Sequence, residues 1–428
     1  MKYLIIAIIL QGVLVSATIE RVKINGVEIP IVYEQNSALP IVSLQLVVKS
    51  AGSMQDSGKD GLAKFTANML TEGTKKKGSV EFAQELENRA ISLSVNAGTE
   101  TFVYEISLLK EQYNFGMKMF KELLNEPNFS KQSYKKIQQL MLGRLSSKKS
   151  NFDYIANINL KSIIFKDTPL GHPFGGSEDS IKKIKLVDIE NFYNTYIDLS
   201  NMIIVVGGDI DIDEVKSSLK TLLESVKVGE KRELSHFSVN EKIDEKIEVK
   251  ETEQAYIYFG APYNLKNNDK DIHMSRVAGF ILGESGFGSR LMEEVRVKRG
   301  LAYSVYSKTN ISQSSSYFSG YLQTKNENLK DAKKLVIAEI KKFTKDGVTQ
   351  NELNQAKKFL LGSEPLRNET LSQRLNRAFF EYYSGFELGH SKAELEKIEA
   401  LSLKDLNRFI KAHDEITELS FSIVYDGK

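Results

Sequence analysis

Alternating apolar and polar positions mark strands over Ile41 to Lys49 and Thr101 to Leu109, and the short run Ser92 to Val95 reads as a further strand joined to the latter through Asn96-Ala97-Gly98. Between them, apolar residues recur every three or four positions, which predicts helices at Gly61 to Thr71 and Val80 to Asn88. Leu62, Phe65, Met69 and Leu70 share one face of the first helix and are expected to point into a core. Further helices follow near Glu111 to Leu124, Lys131 to Ser146 and Val187 to Tyr196. A strand, Met202 to Val206, is stopped by Gly207-Gly208, and a helix over Ile212 to Leu223 completes the first half.

The second half repeats the plan. Ala255 to Gly260 predicts a strand, Ile272 to Leu282 a helix, Ala302 to Thr309 and Tyr317 to Thr324 a strand pair, and Leu329 to Lys345 a helix. Helical patterns over Gln350 to Leu361, Leu371 to Tyr383 and Leu403 to His413 lead to a last strand, Glu418 to Tyr425. The segment Leu186 to Phe192 matches Leu403 to Phe409, with Asp405 lying 217 positions after Asp188, near half the chain length of 428. This offset predicts a duplicated domain. The charged, aperiodic stretch 227–242 reads as the linker between a domain at 18–226 and one at 243–428. Strands followed by runs of helices predict an α+β class with antiparallel-rich sheets.

Composition narrows the function classes. With 41% hydrophobic and 27% charged residues the chain can bury sizeable cores. The net charge of +2, from 58 basic and 56 acidic residues, argues against nucleic acid as a partner, and the runs Lys75-Lys76-Lys77 and Lys182-Lys183 read as solvated faces. Cysteine is absent, which removes disulfides, thiol nucleophiles and a lipid-modified cysteine. At the N-terminus, Lys2, the apolar run Leu4 to Leu10 and Val15-Ser16-Ala17 have the order of a secretory signal peptide cut after Ala17. The run is short for a membrane span and is interrupted by Gln11 and Gly12, so the expectation is an exported chain, periplasmic or secreted, with no retained span.

The candidate chemistry lies in two motifs. The segment Gly61-Leu62-Ala63-Lys64-Phe65-Thr66-Ala67-Asn68-Met69 resembles the H-x-x-E-H helix of peptidase family M16, the pitrilysin and mitochondrial processing peptidase family. In that motif two histidines one turn apart hold zinc, and the glutamate activates its water. Lys64, Ala67 and Asn68 stand at those three positions. An ammonium of reference pKa about 10.4 repels a dication, a carboxamide is a poor zinc ligand, and a methyl group accepts no proton. The family's third ligand is a glutamate, and its spacing falls on Arg144. The loop Asp167-Thr168-Pro169-Leu170-Gly171 through Gly176 resembles the family's D-x-P-L-G loop and supports that register. The resemblance therefore implies no metal and no hydrolytic centre in this chain.

The second motif, Gly288 to Val305, is similar to the family's S-R-L-x-x-x-[LV]-R-x-x-x-G-L-x-Y-x-V signature and puts Arg296 and Tyr303 at its Arg/Tyr pair. A fixed guanidinium and a phenol can hydrogen-bond a peptide carbonyl and stabilise a developing oxyanion, so the resemblance implies substrate binding by these two residues. Read alone, Arg296 is one of several cations beside Arg290, Lys298 and Arg299, Tyr303 begins a strand, and Lys64 is a surface lysine. The same resemblance implies two homologous domains facing each other like a clam shell, with peptides bound in extended form along a sheet edge. Asn96-Ala97 matches the family's edge-strand pair, although a turn between strands fits those residues equally well.

Other constellations are thin. His172, His236, His273, His390 and His413 form no pair at helical spacing, and the glycine-rich Gly283 to Gly288 lacks the Lys-Ser/Thr of a phosphate loop. No G-x-S-x-G elbow occurs. The expectation is a noncatalytic, substrate-binding subunit of an exported heterodimeric M16-type zinc protease, its zinc carried by an H-x-x-E-H partner. The alternative is a catalytically inactive peptide-binding or scaffold protein of the same fold.

Overall fold

A computed structural model describes residues 17–428; the signal-peptide expectation for 1–17 lies, apart from its last residue, outside them. Six strands build the first sheet: β1 (Thr18–Ile24), β2 (Val27–Gln35), β3 (Ile41–Lys49), β4 (Ser92–Ala97), β5 (Thr101–Leu109) and β6 (Met202–Gly208). Their order is β1-β2-β6-β3-β5-β4, antiparallel except where β2 meets β6. The second sheet holds β7 (Glu245–Val249), β8 (Gln254–Pro262), β9 (Ser304–Ile311), β10 (Ser316–Lys325) and β11 (Ser420–Tyr425), in the order β7-β11-β8-β10-β9. Its single parallel pair is β7 with β11. The second order superimposes on β2-β6-β3-β5-β4, so the two halves are one fold repeated, with β1 added to the first.

The first half carries helices α1 (Leu62–Met69), α2 (Ser79–Glu87), α3 (Tyr113–Asn125), α4 (Lys131–Ser147), α5 (Phe152–Ile164), α6 (Glu178–Lys183), α7 (Leu186–Tyr196) and α8 (Ile212–Leu223). The second carries α9 (Ile272–Gly279), α10 (Leu329–Asp346), α11 (Gln350–Gly362), α12 (Leu371–Tyr383), α13 (His390–Ala400) and α14 (Leu403–Ala412). Alternate residues of each strand serve opposite faces of its sheet. On one face of the first sheet, Leu44, Leu46, Tyr104, Ile204 and Val206 pack with Phe65, Phe120, Phe192 and Leu219 from the helices. In the second sheet, Ile257, Phe259, Phe318 and Ile423 meet Val336, Ile340 and Phe409.

The opposite faces are covered by exchange. Helix α12 belongs to the second half in sequence but lies on β2 and β6, where Leu375 and Ala378 pack with Val32, Val47, Ile203 and Val205. Helix α5 belongs to the first half but lies on β8 and β11, where Leu160 and Ile164 join a cluster with Tyr258 and Tyr317. Residue 371 lies 219 positions after residue 152, so the two exchanged helices are the same element of the repeat. Burying a leucine of this kind contributes roughly 1.5–3 kcal/mol.

A glycine sits under each exchanged helix. A Cβ on Gly207 of β6 would stand 2.8 Å from the Glu34 carbonyl oxygen and 2.8 Å from Leu375 Cδ1, and one on Gly260 of β8 would stand 3.1 Å from Ile164 Cδ1. The continuous apolar run Met202 to Val206 is explained by this double cover, since every residue of β6 is buried.

The stretch 227–242 has no helix or strand and is tied to both halves. Arg232 pairs with the buried Asp198 and donates to the Tyr196 carbonyl at 2.8 Å, while Phe237 N–H donates to the Ser314 carbonyl at 2.8 Å. Among the described residues, no helix is long and apolar enough to cross a membrane.

Three differences from the sequence expectations stand out. The hairpin β1–β2 turns at Asn25-Gly26, both with positive φ (47° and 85°), as the Asn-Gly hairpin signal requires. Strand β4 runs on through Asn96 and Ala97, which therefore lie in an edge strand rather than a turn. The helix expected over Ile272 to Leu282 is α-helical to Gly279 and continues as a π-helical turn over Phe280–Glu284.

Candidate functional site

Helix α1 starts abruptly because Gly61, at φ 92°, turns the chain, and because the buried Asp56 carboxylate accepts from the N–H groups of Gly61 (2.7 Å) and Ala63 (2.8 Å). Burial pushes the Asp56 carboxyl up to about 7 against the opposing pull of those N–H groups. The loop of Pro169 to Gly176 packs against the same helix start. A Cβ on Gly61 would stand 2.9 Å from the Gly175 carbonyl oxygen, and His172 Nδ1 lies 3.0 Å from Asp60 Oδ2.

Within α1, Leu62, Ala63, Phe65, Thr66, Ala67 and Met69 are buried. Lys64 and Asn68, one turn apart, are half-buried and line a cavity of about 1040 Å³. Arg144, in the last turn of α4, lines the same cavity, while Ala67 is sealed in the core. Three of the four positions that the motif resemblance marks therefore meet in one space. The Lys64 amine is pushed down, first by burial and then by the Arg144 and Lys148 cations.

The cavity lies between the halves, and residues that sequence patterning did not single out form its other wall. Lys161 of α5 and Lys308 of β9 line it; burial and then Lys308 push the Lys161 amine down. Glu100 is the single carboxylate among its lining residues, and it is engaged. It accepts from Ser314 N–H at 2.8 Å, Ser314 Oγ at 2.6 Å and Tyr383 Oη at 2.7 Å, binding the β4–β5 turn to the second half. Burial, and then Glu100, push the Tyr383 phenol up. These residues sit on unrelated elements, so no local pattern in the sequence could group them.

Arg296 and Tyr303 lie elsewhere. Ser289 is fully buried, and Arg290 pairs with Glu352 and donates to the Gly347 carbonyl at 2.8 Å, so the first part of the signature is structural. Lys298 and Arg299 both pair with Glu294. Arg296, on the π-helical segment Met292–Val297, has no carboxylate partner among the described residues and stacks 4.9 Å over the ring of Phe287, itself 70% exposed. Tyr303 is 49% exposed and fixed through its N–H to the Gln323 carbonyl at 2.9 Å. Neither side chain lines the cavity between the halves. Among the described residues, no group of three or more His, Cys, Asp or Glu could hold a metal ion.

Comparison with known proteins gives a consistent picture. Residues 30–178 match the family model described as insulinase (peptidase family M16), and residues 183–360 match the one described as peptidase M16 inactive domain. A Helicobacter pylori protein described as non-peptidase homolog YmxG is 43% identical over 431 residues, covering 100% of this chain and 99% of the relative. A Rickettsia felis protein described as an uncharacterized zinc protease is 25% identical, with 88% of each chain covered. Among solved structures, a peptidase M16 inactive domain from Pseudomonas fluorescens matches with a TM-score of 0.88 at 23% identity, covering 96% of this chain and 98% of its own.

Proposed function

The chain belongs to peptidase family M16, with a non-peptidase homologue among its relatives, and from that premise we propose that it is the noncatalytic, substrate-binding subunit of a heterodimeric zinc metalloprotease. The observation that carries the proposal is the contrast between its two motifs. Lys64, Asn68 and Arg144, at the positions where the motif that this chain resembles holds its metal, line one cavity, while Arg296 and Tyr303 stand exposed, with Arg296 unpaired among the described residues. A guanidinium and a phenol aimed outward suit a clamp that serves a metal on another chain. The partner would be a homologous subunit carrying H-x-x-E-H and zinc, and the substrate an extended peptide or unfolded polypeptide.

We also propose that the complex is exported to the periplasm or secreted. Support comes from the charged and apolar order of residues 1–17 and from the position of β1, which begins at Thr18, directly after the small-residue site.

The test is peptidase activity on unstructured peptides, with zinc content measured, for this chain alone, for an H-x-x-E-H relative encoded beside it, and for both co-expressed. Activity confined to samples with the relative, and raised strongly by this chain, is the expected result. A relative that is fully active alone and never copurifies with this chain sinks the proposal in favour of a peptide-binding or scaffold role.

A further inference from the structure

The cavity between the halves carries an unbalanced charge. Lys64, Arg144, Lys148, Lys161 and Lys308 line it, none of them in an ion pair among the described residues, and Glu100 is its only carboxylate. Glu100 is already held by Ser314 and Tyr383. The cations form two groups: Arg144 and Lys148 at the end of α4 act on Lys64 of α1, and Lys308 of β9 acts on Lys161 of α5. Like charges held together in a partly enclosed space cost free energy unless something of opposite sign is drawn in.

From this arrangement we infer that the cavity binds acidic peptide, with side-chain carboxylates bridging the Lys64–Arg144–Lys148 group and the Lys161–Lys308 group. The size of the space favours a peptide over a small anion: about 1040 Å³ lies at the top of the roughly 300–1,000 Å³ range of small-molecule sites. The exposed rings of Phe174 and Phe380 on the lining offer apolar contact between carboxylates, and the amide of Asn157 can pair with peptide backbone. At the positions where the family motif holds a dication, this chain offers organic cations, so the site's affinity for negative charge is kept while its chemistry is lost. The inference deepens the peptide-binding reading above by naming the substrate class, and it needs no partner subunit.

The experiment uses the full chain, purified alone, and fluorescence anisotropy with three labelled peptides of equal length: alternating Glu and Ser, Gln and Ser, and Lys and Ser. Inorganic phosphate and polyphosphate serve as competitors. The Glu peptide is expected to bind at least about tenfold tighter than the Gln peptide, with affinity falling as salt rises, and the Lys peptide not to bind. Arg144→Gln with Lys148→Gln, and separately Lys308→Gln, all at exposed positions where folding is undisturbed, are each expected to weaken the Glu peptide at least about fivefold. Equal binding of all three peptides overturns the charge assignment but leaves peptide binding standing. Polyphosphate binding without Glu-peptide binding overturns the peptide class, and unchanged affinity in both variants overturns the site. Turnover of neutral peptides by the heterodimer is read separately, so a failure here does not count as a failure there.

Discussion

Arg374 of α12 reaches Glu34 of β2, 340 residues away in sequence, with Nε at 2.8 Å and Nη2 at 2.7 Å from the same carboxylate oxygen. Glu34 is 2% exposed, so the guanidinium is what keeps a carboxylate inside the protein tolerable, and it fixes the exchanged helix on the first sheet. Replacing Arg374 with Met should therefore lower stability by about 3 kcal/mol, because a buried charge loses its partner. The double variant Arg374→Met with Glu34→Leu should recover most of the loss. Urea denaturation reads both, and a single variant within about 0.5 kcal/mol of wild type would show that the pair is incidental.

The two glycines beneath the exchanged helices should respond differently to alanine. At Gly207 the new methyl meets a backbone carbonyl and Leu375 at 2.8 Å, whereas at Gly260 the nearest atom is the movable end of Ile164 at 3.1 Å. Gly207→Ala is expected to cost about 2 kcal/mol and Gly260→Ala less than about 1 kcal/mol. Thermal melts of both variants provide the comparison, and equal losses would show that the close approach of α12 is not what requires glycine.

Asp56 gives the stability a pH dependence of unusual sign for a carboxylate. Its folded value of about 7 exceeds the ordinary 3.8, so between these the folded chain binds the extra proton and stability falls as pH rises. The contribution should be on the order of 3 kcal/mol between pH 4 and 7. In Asp56→Asn that slope should vanish, which urea midpoints across the range would reveal. Persistence of the slope in the variant would assign it to other groups.

In complex with an H-x-x-E-H subunit, Arg296→Ala and Tyr303→Phe should each cut peptide turnover at least about tenfold. Assembly, followed by size-exclusion chromatography, should be unaffected, since both side chains are exposed. Wild-type turnover in both variants would remove the substrate clamp from consideration.

Chelation should leave this chain unchanged. A metal site saturated at a hundred times its Kd would contribute about 2.7 kcal/mol, and its loss would show as a lower Tm. Identical melts with and without EDTA, and substoichiometric zinc by elemental analysis, are the expected results.

Much of this molecule can be read from its sequence. The alternation over Ile41 to Lys49 and Thr101 to Leu109 corresponds to β3 and β5, and the Leu186–Phe192 match with Leu403–Phe409 reflects the helices α7 and α14 of a repeated fold. The helix Phe152–Ile164 is hard to read from its sequence, because its buried side chains Ala156, Asn159, Leu160 and Ile164 include a polar residue and face a sheet from the other half. The hairpin β1–β2 carries its signal in the turn, Asn25-Gly26, rather than in the alternation of its strands. The resemblance of Gly61 to Met69 to the family motif, with Lys64, Ala67 and Asn68 at its ligand and base positions, is legible residue by residue. The gathering of Lys161 and Lys308 opposite Lys64 was not, since it depends on how two halves face each other.

The helix exchange also sets an order of events as the chain is made. When β6 has left the ribosome, the face of the first sheet formed by Val32, Val47, Ile203 and Val205 is still bare, because α12 has not been synthesised. The N-terminal half thus remains a sticky, incomplete intermediate until almost the whole polypeptide has emerged, a natural client for chaperones.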